Sequence, residues 1–316
     1  MQTEYSELNL VEIAAKYADE DKARAFLESI LWPNGPVCPH CSSTEAYRLT
    51  PKAGSKSPAR KGLCKCKACR KQFTVTVGTI FSDSHIPIGK WLMAIFLLCS
   101  SKKAISAHQL HRSLGMTYKA AWFMAHRIRY AMSDGPLAEL LKGTVEVDET
   151  YVGGKTKGMG RAYKGNKTPV VSLVQRNGIK RSMVMERVTA KNLRKAVKEH
   201  VHSEAQVMTD DSPLYVNLPA KFNRQSVCHS AGEYVRGEVH TNTVESSFSL
   251  LKRGVVGAFH HVSAKHLGRY LSEFDFRWNS RKNTDGERTI LALGGFVGKR
   301  LTYRDSSQEG KIIEPS

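Results

Sequence analysis

The chain has 316 residues, more than one small core requires and enough for two or three domains. Lysine and arginine number 48 against 29 aspartates and glutamates, a formal net charge of +19. That excess points to a polyanionic partner, nucleic acid above all, because each neutralised phosphate releases counterions. No transmembrane helix is expected: the longest apolar run, Trp91 to Cys99, is nine residues, where a bilayer span needs about 20.

The opening stretch MQTEYSELNLVEIAAKYADED is acidic and has no long apolar core, so no signal peptide is expected and the protein is placed in the cytoplasm, with the nucleoid. Its seven cysteines then read as metal ligands or free thiols rather than disulfides. Residues 8–31 read as a short helical region, ended by WPNGP (Trp32 to Pro36). Two C-x-x-C knuckles follow, CPHC (Cys38, Cys41) and CKAC (Cys66, Cys69), with 24 residues between them. Four thiolates at that spacing complete a tetrahedral zinc shell, a zinc-ribbon signal whose closed shell makes the metal structural. Cys64 is a rival to Cys66, which keeps the paired spacing with Cys69; His40 is a weaker substitute, and Cys99 reads as core.

Residues 87–133 are helix-rich. AISAHQLHRSLGMTYKAAWFMAHRIRYAM carries a helix-turn-helix pattern: Ser106 caps a first helix, Gly115 makes the turn and Thr117 caps a second. Leu110, Leu114, Ala121, Met124 and Ile128 face inward, which leaves Tyr118, Lys119, Trp122, Arg127 and Arg129 for DNA.

From Thr144 the pattern changes. TVEVDETYVGG, PVVSLVQRNG and KRSMVMERV are three strands; TAKNLRKAVKEHV is a helix capped by Thr189; AQVMTD is a short strand ending in acid. Two helices close the segment, HTNTVESSFSLLKRG, with Val244, Phe248, Leu251 and then Val255 as its buried stripe, and SAKHLGRYLSEFDFRWNSR. The order predicts an α/β sheet domain. Three carboxylates fall where they can meet at one sheet edge: Asp148 within a strand, Asp210 at a strand end, and Glu245 beside the helix stripe. Such acids repel unless cations lie between them, and their oxygens suit two Mg²⁺ or Mn²⁺ ions. Lys252, seven positions beyond Glu245, is placed to hold a DNA phosphate, with Arg253 beside it. Rivals exist. Glu146 shares the face of Asp148, Asp211 adjoins Asp210, and Asn242-x-x-Glu245 also fits a helix capping box.

Taken together, CPHC…CKACRKQFTVTVGTIF, IPIGKWLMAI, SLGMTYKAAWFMAHRIR, VEVDETYVGGK, HTNTVESSFSLLKRGVVGAFHHVSAKHLGRYLSEFDFRWNSR and LTY resemble, in order, the DDE transposases of bacterial insertion sequences that carry an N-terminal zinc ribbon. The resemblance implies an RNase H-like catalytic domain with two magnesium ions. It implies cutting at terminal inverted repeats and joining the freed 3′-hydroxyls to target DNA, by a dimer or higher assembly. Its acids fall on Asp148, Asp210 and Glu245, and its basic residue on Lys252. Some relatives place Asn at the third acid; the spacing to Lys252 selects Glu245 over Asn242.

The expected architecture is multidomain α+β: a helical segment (1–35), a zinc ribbon (36–78), a helix-turn-helix-like DNA-binding domain (79–138), an RNase H-like α/β catalytic domain (139–295) and a polar tail (296–316). Two alternatives stay open, a non-enzymatic DNA-binding repressor derived from a mobile element and an RNase H-like nuclease without strand transfer.

Overall fold

The structure, a computed structural model, describes residues 5, 7–50, 60–133, 139–153, 167–228 and 231–307. They form two compact units, one of residues up to Met132 with those from Lys282 onward, the other Ser133–Arg281. No helix among the described residues is long and apolar enough to cross a membrane.

In the first unit the N-terminal helical region is two helices, α1 (Leu10–Lys16) and α2 (Glu20–Leu31). The break has a local cause: Asp19 is extended and its side chain accepts the Lys22 amide at 2.9 Å, starting a new helix. A three-stranded antiparallel ribbon follows, β1 (Ala46–Arg48), β2 (Cys64–Cys66) and β3 (Gln72–Phe73). Then come α3 (Ile88–Ser100), α4 (Ala107–Leu114) and α5 (Tyr118–Ala131). The expected caps are present: Ser106 accepts the Gln109 amide, Thr117 accepts the Ala120 amide, and Gly115 takes the left-handed conformation (φ +57°) that the turn between α4 and α5 requires.

The second unit is built on a five-stranded sheet. Its strands are β4 (Thr144–Val152), β5 (Thr168–Gln175), β6 (Lys180–Val184), β7 (Gln206–Asp210) and β8 (Gln225–Val227), in the spatial order β6-β5-β4-β7-β8. The β6-β5-β4 half is antiparallel, with β5 and β6 joined by a four-residue turn (176–179); β7 and β8 run parallel to β4, which needs crossovers. Helix α6 (Ala190–His200), capped by Thr189, makes the first crossover. Its apolar side (Leu193, Ala196, Val197) packs with Val145, Val147, Val171, Leu173 and Val207 on one face of the sheet. A hairpin of β9 (Val235–Arg236) and β10 (Val239–His240) leads into α7 (Asn242–Gly254). α7 packs on β4 and β5, and α8 (Ala264–Asn279) on β6.

Three boundaries differ from the sequence reading. Helix α9 (Asp285–Gly294), expected in the catalytic segment, belongs to the first unit, where it packs on α2 and α3 and Arg288 Nη1 donates to the Cys99 carbonyl at 3.0 Å. The expected polar tail begins in that unit's core, with Phe296 and Leu301 buried, before α10 (Tyr303–Ser307); its last part, 308–316, lies outside the described residues. In α7, Val244, Phe248 and Leu251 are buried, but the stripe stops short of Val255, where the backbone widens into a π-helical turn (Val255–Phe259) with no buried residue.

Candidate active site

The ribbon brings its cysteines together. Cys38 Sγ lies 3.6 Å from Cys69 Sγ and Cys41 Sγ 3.6 Å from Cys66 Sγ, and all four sulfurs fall within 4.8 Å of one another. A tetrahedral shell with Zn–S bonds of about 2.3 Å separates its sulfurs by roughly 3.8 Å, so the set fits structural zinc. The Cys69 amide donates to Cys66 Sγ (3.5 Å) and draws that thiol down to about 7, while the neighbouring sulfurs push the Cys41 thiol up to about 12, so without a cation the four thiols do not all ionise together. Cys64 is buried in the ribbon core with Phe73 and lies outside the set, as does exposed His40.

In the second unit, the pleat of β4 sends Val145 and Val147 to the α6 side, and Glu146 and Asp148 to the side covered by α7. Asp148, Asp210 and Glu245 are all half-buried. Burial lifts the Asp148 carboxyl to about 7, against the pull of a 2.7 Å hydrogen bond from the Glu149 amide; the charges of Glu149, Asp210 and Glu245 push the same way as burial. The three acids of the sequence reading therefore share one electrostatic neighbourhood. They are not drawn around a single point: among the described residues only the four cysteines have ligand atoms all within 4.8 Å of one another. The spread is compatible with two ions, since a pair about 4 Å apart divides its ligands.

Each rival has a place of its own. Asp211 is exposed, with Cys228 Sγ 3.0 Å from its carboxylate. Asp210 does start a turn, accepting the Ser212 amide on Oδ1 at 3.1 Å. The capping box at Asn242 is not formed: α7 begins one residue earlier, after Thr241, whose hydroxyl donates to Glu245 Oε1 at 3.0 Å. Glu146 is fully buried and accepts the Thr243 and Val244 amides, at 2.7 and 2.9 Å. His240 Nδ1 lies 3.3 Å from Glu146, while His260 and His261 are exposed.

Further residues around the acids carried no local sequence signal. Tyr215, fully buried, donates its hydroxyl to Glu149 on the α6 side of β4. Arg224 donates to the Thr209 hydroxyl and the Asp210 carbonyl, both at 2.9 Å, setting a guanidinium beside the end of β7.

Of the basic residues expected on DNA, Lys119, Lys252 and Arg253 are exposed, Lys119 with its ammonium 4.8 Å from the Tyr303 ring centre. Arg127 and Arg129 are corrected. They are buried: Arg127 donates to the carbonyls of Leu301 (3.0 Å) and Ile80 (2.8 Å), and Arg129 to that of Ile105 (3.4 Å). α3, α4 and α10 pack on α5, so the later part of the side expected to face DNA is interior, while Tyr118 and Lys119 in its first turn are exposed.

Two family models match the chain. Residues 140–279, which hold all three acids and Lys252, match the model of the ISXO2-like transposase domain, and residues 18–72, which hold the four cysteines, match the transposase zinc-ribbon domain. A protein of Halobacterium salinarum described as an uncharacterized protein in transposable element ISH50 is 30% identical over 279 residues, covering 83% of this chain and 91% of that one. The chain belongs to the ISXO2-like family of insertion-sequence transposases. Two solved Mos1 transposase assemblies are more distant from this transposase. A paired-end complex with left transposon end is 15% identical over 64% of this chain and 75% of that one (TM-score 0.26). A pre-cleavage transpososome is 13% identical over 61% and 78% (TM-score 0.21). Scores this low do not establish a shared fold.

Proposed function

We propose that the Ser133–Arg281 unit of this transposase is an RNase H-like catalytic domain. In it Asp148, Asp210 and Glu245 hold two Mg²⁺ or Mn²⁺ ions, and Lys252 and Arg253 hold DNA phosphates beside them. One observation carries the reading: two distant acids, Asp210 on the neighbouring parallel strand and Glu245 on the packed helix, both bear electrostatically on Asp148. The charges acting most strongly on Asp148 are all negative, and the donors are all oxygen, a set made for hard divalent cations. When bound, the ions supply an activated water or 3′-hydroxyl and stabilise the departing oxyanion.

The chain's own residues do the rest. The strands and α7 hold the carboxylates on rigid elements whose other faces are locked in the core. Lys252 lies two turns along α7 from Glu245, roughly 10 Å on the same side, about the reach of neighbouring phosphates. Lys119 and the exposed ribbon cations Lys67, Arg70 and Lys71 approach the terminal inverted repeats. Joining two ends requires a dimer or higher assembly on DNA, in the cytoplasm at the nucleoid.

The test is to incubate the protein with end-containing DNA and Mg²⁺ and look for nicked and joined products. Asp148→Asn is expected to abolish both while leaving end binding intact. Strand transfer at the normal rate by that variant removes Asp148 from the site. Nicking without joining by the native protein selects a plain nuclease, and end binding without nicking selects a repressor.

A further inference from the structure

The acid that the proposed metal site does not use, Glu146, accepts four hydrogen bonds of its own. Glu146 is fully buried on β4, two residues before Asp148. Its Oε1 accepts from Arg176 Nε (2.7 Å) and from the Thr243 hydroxyl (2.8 Å), with His240 Nδ1 at 3.3 Å. Its Oε2 accepts from the backbone amides of Thr243 (2.7 Å) and Val244 (2.9 Å). A carboxylate has about four lone-pair sites, so four donors leave none for a metal ion.

The two amides identify the task. A helix leaves its first amides without partners, and a capping side chain normally accepts from the second or third helical residue. In α7 those residues are Thr243 and Val244, and Thr241 at the cap position makes no capping bond with its side chain. The acceptor comes instead from β4, 97 residues away in sequence. Its charge also lies at the positive end of the helix dipole. Arg176 ties in the preceding hairpin through Nη1 to the Glu238 carbonyl (2.8 Å) and Nη2 to the His240 carbonyl (3.1 Å).

We propose that Glu146 is a positioning residue that clamps the two halves of the metal site together. On one side of the clamp Asp148 follows Glu146 by two residues on the same strand face, about 7 Å along β4. On the other side Glu245 follows capped Val244 by one residue. The single buried carboxylate thereby sets the register of the α7 acid against the β4 acid. This inference rests on the reading that Asp148 and Glu245 share divalent ions.

The test compares native protein, Glu146→Gln and Asp148→Asn, all full-length and zinc-loaded. Three readouts apply: amide hydrogen exchange in the absence of divalent cation, Mn²⁺ binding by electron paramagnetic resonance, and nicking of end DNA as a function of Mg²⁺. Glu146→Gln is expected to fold with native zinc content and to melt lower than the native protein, because a buried ion pair and a charged helix cap are weakened, while speeding exchange at Thr243 and Val244. Mn²⁺ binding is expected to weaken roughly tenfold or more, the usual cost of losing a group that orients metal ligands. The half-saturating Mg²⁺ rises by a similar factor, and the rate recovers at high Mg²⁺. Simple loss of folded protein lowers the rate without moving that midpoint.

Unchanged exchange and unchanged Mn²⁺ affinity in Glu146→Gln, with Mn²⁺ binding lost in Asp148→Asn, overturn the clamp and leave the metal site standing. Full Mn²⁺ binding by Asp148→Asn overturns the metal site itself and the clamp with it. Should Glu146→Gln not fold, Thr243→Ala deletes only the hydroxyl bond; it is expected to shift the Mg²⁺ midpoint a few-fold, and no shift overturns the clamp.

Discussion

The charge of Asp210, at the end of β7, reaches Asp148 within β4 and helps hold a proton there. Burial is the larger cause, and together with Glu149 and Glu245 these effects bring the Asp148 carboxyl from 3.8 to about 7. Between those values the folded chain keeps a proton that the unfolded chain has lost. Stability of the cation-free protein therefore falls as pH rises from about 4 to 7 through this group, and the loss is complete above it. Asp148→Asn carries no such titration. It is expected to melt higher than native protein at pH 8 without divalent cation, and to lose the stabilisation by Mg²⁺ that native protein gains. Thermal melts from pH 5 to 8.5, with and without Mg²⁺, measure both; parallel native and variant curves at every pH would show that Asp148 is not the perturbed group.

Arg127 and Lys119 lie on the same helix and are expected to separate stability from DNA binding. Arg127→Ala strands the buried carbonyls of Ile80 and Leu301, and an unsatisfied buried group costs about 1–3 kcal/mol. Lys119→Ala removes an exposed charge and is expected to leave stability within about 0.5 kcal/mol. Urea melts paired with end-DNA binding should show a destabilised Arg127→Ala. Lys119→Ala should stay stable and bind more weakly. A stable Arg127→Ala with weakened binding would return Arg127 to the DNA-facing set.

Features set by short stretches of the chain are legible in its sequence. The period-two alternation of Val145, Glu146, Val147 and Asp148, the Thr and Ser caps, and the paired knuckles are all short-range, and each folds as its spacing implies. The misses share a cause. Arg127 and Arg129 are interior because segments near Ile80, Ile105 and Leu301 close over α5, far away in sequence. The capping box at Asn242 fails because a strand 97 residues upstream does the capping. Strands β8, β9 and β10 are two or three residues long, too short for any periodicity, and exist only through their partners.

Cys64 and Cys66 share a strand and differ in role. Cys66→Ser breaks the thiolate shell and is expected to lose the bound zinc; Cys64→Ser leaves all four ligands and is expected to keep it. Cys64→Ser still places a hydroxyl in the ribbon core, at a cost of about 1–3 kcal/mol. Zinc content by atomic absorption, read beside thermal melts, distinguishes them. Zinc retained by Cys66→Ser and lost by Cys64→Ser would exchange the two cysteines.

Lys252 is predicted to hold a DNA phosphate. It is exposed in the last turn of α7, where a cation also complements the helix dipole. Lys252→Ala is expected to change stability by no more than about 0.5 kcal/mol. If the ammonium holds one phosphate, the logarithmic slope of end-DNA affinity against salt should shrink by about 1. Lys252→Arg keeps the charge and should keep the slope. Fluorescence anisotropy across a KCl series reads this directly. An unchanged slope in Lys252→Ala would move Lys252 off the DNA path and leave Arg253, its exposed neighbour on α7, as the cation to test next.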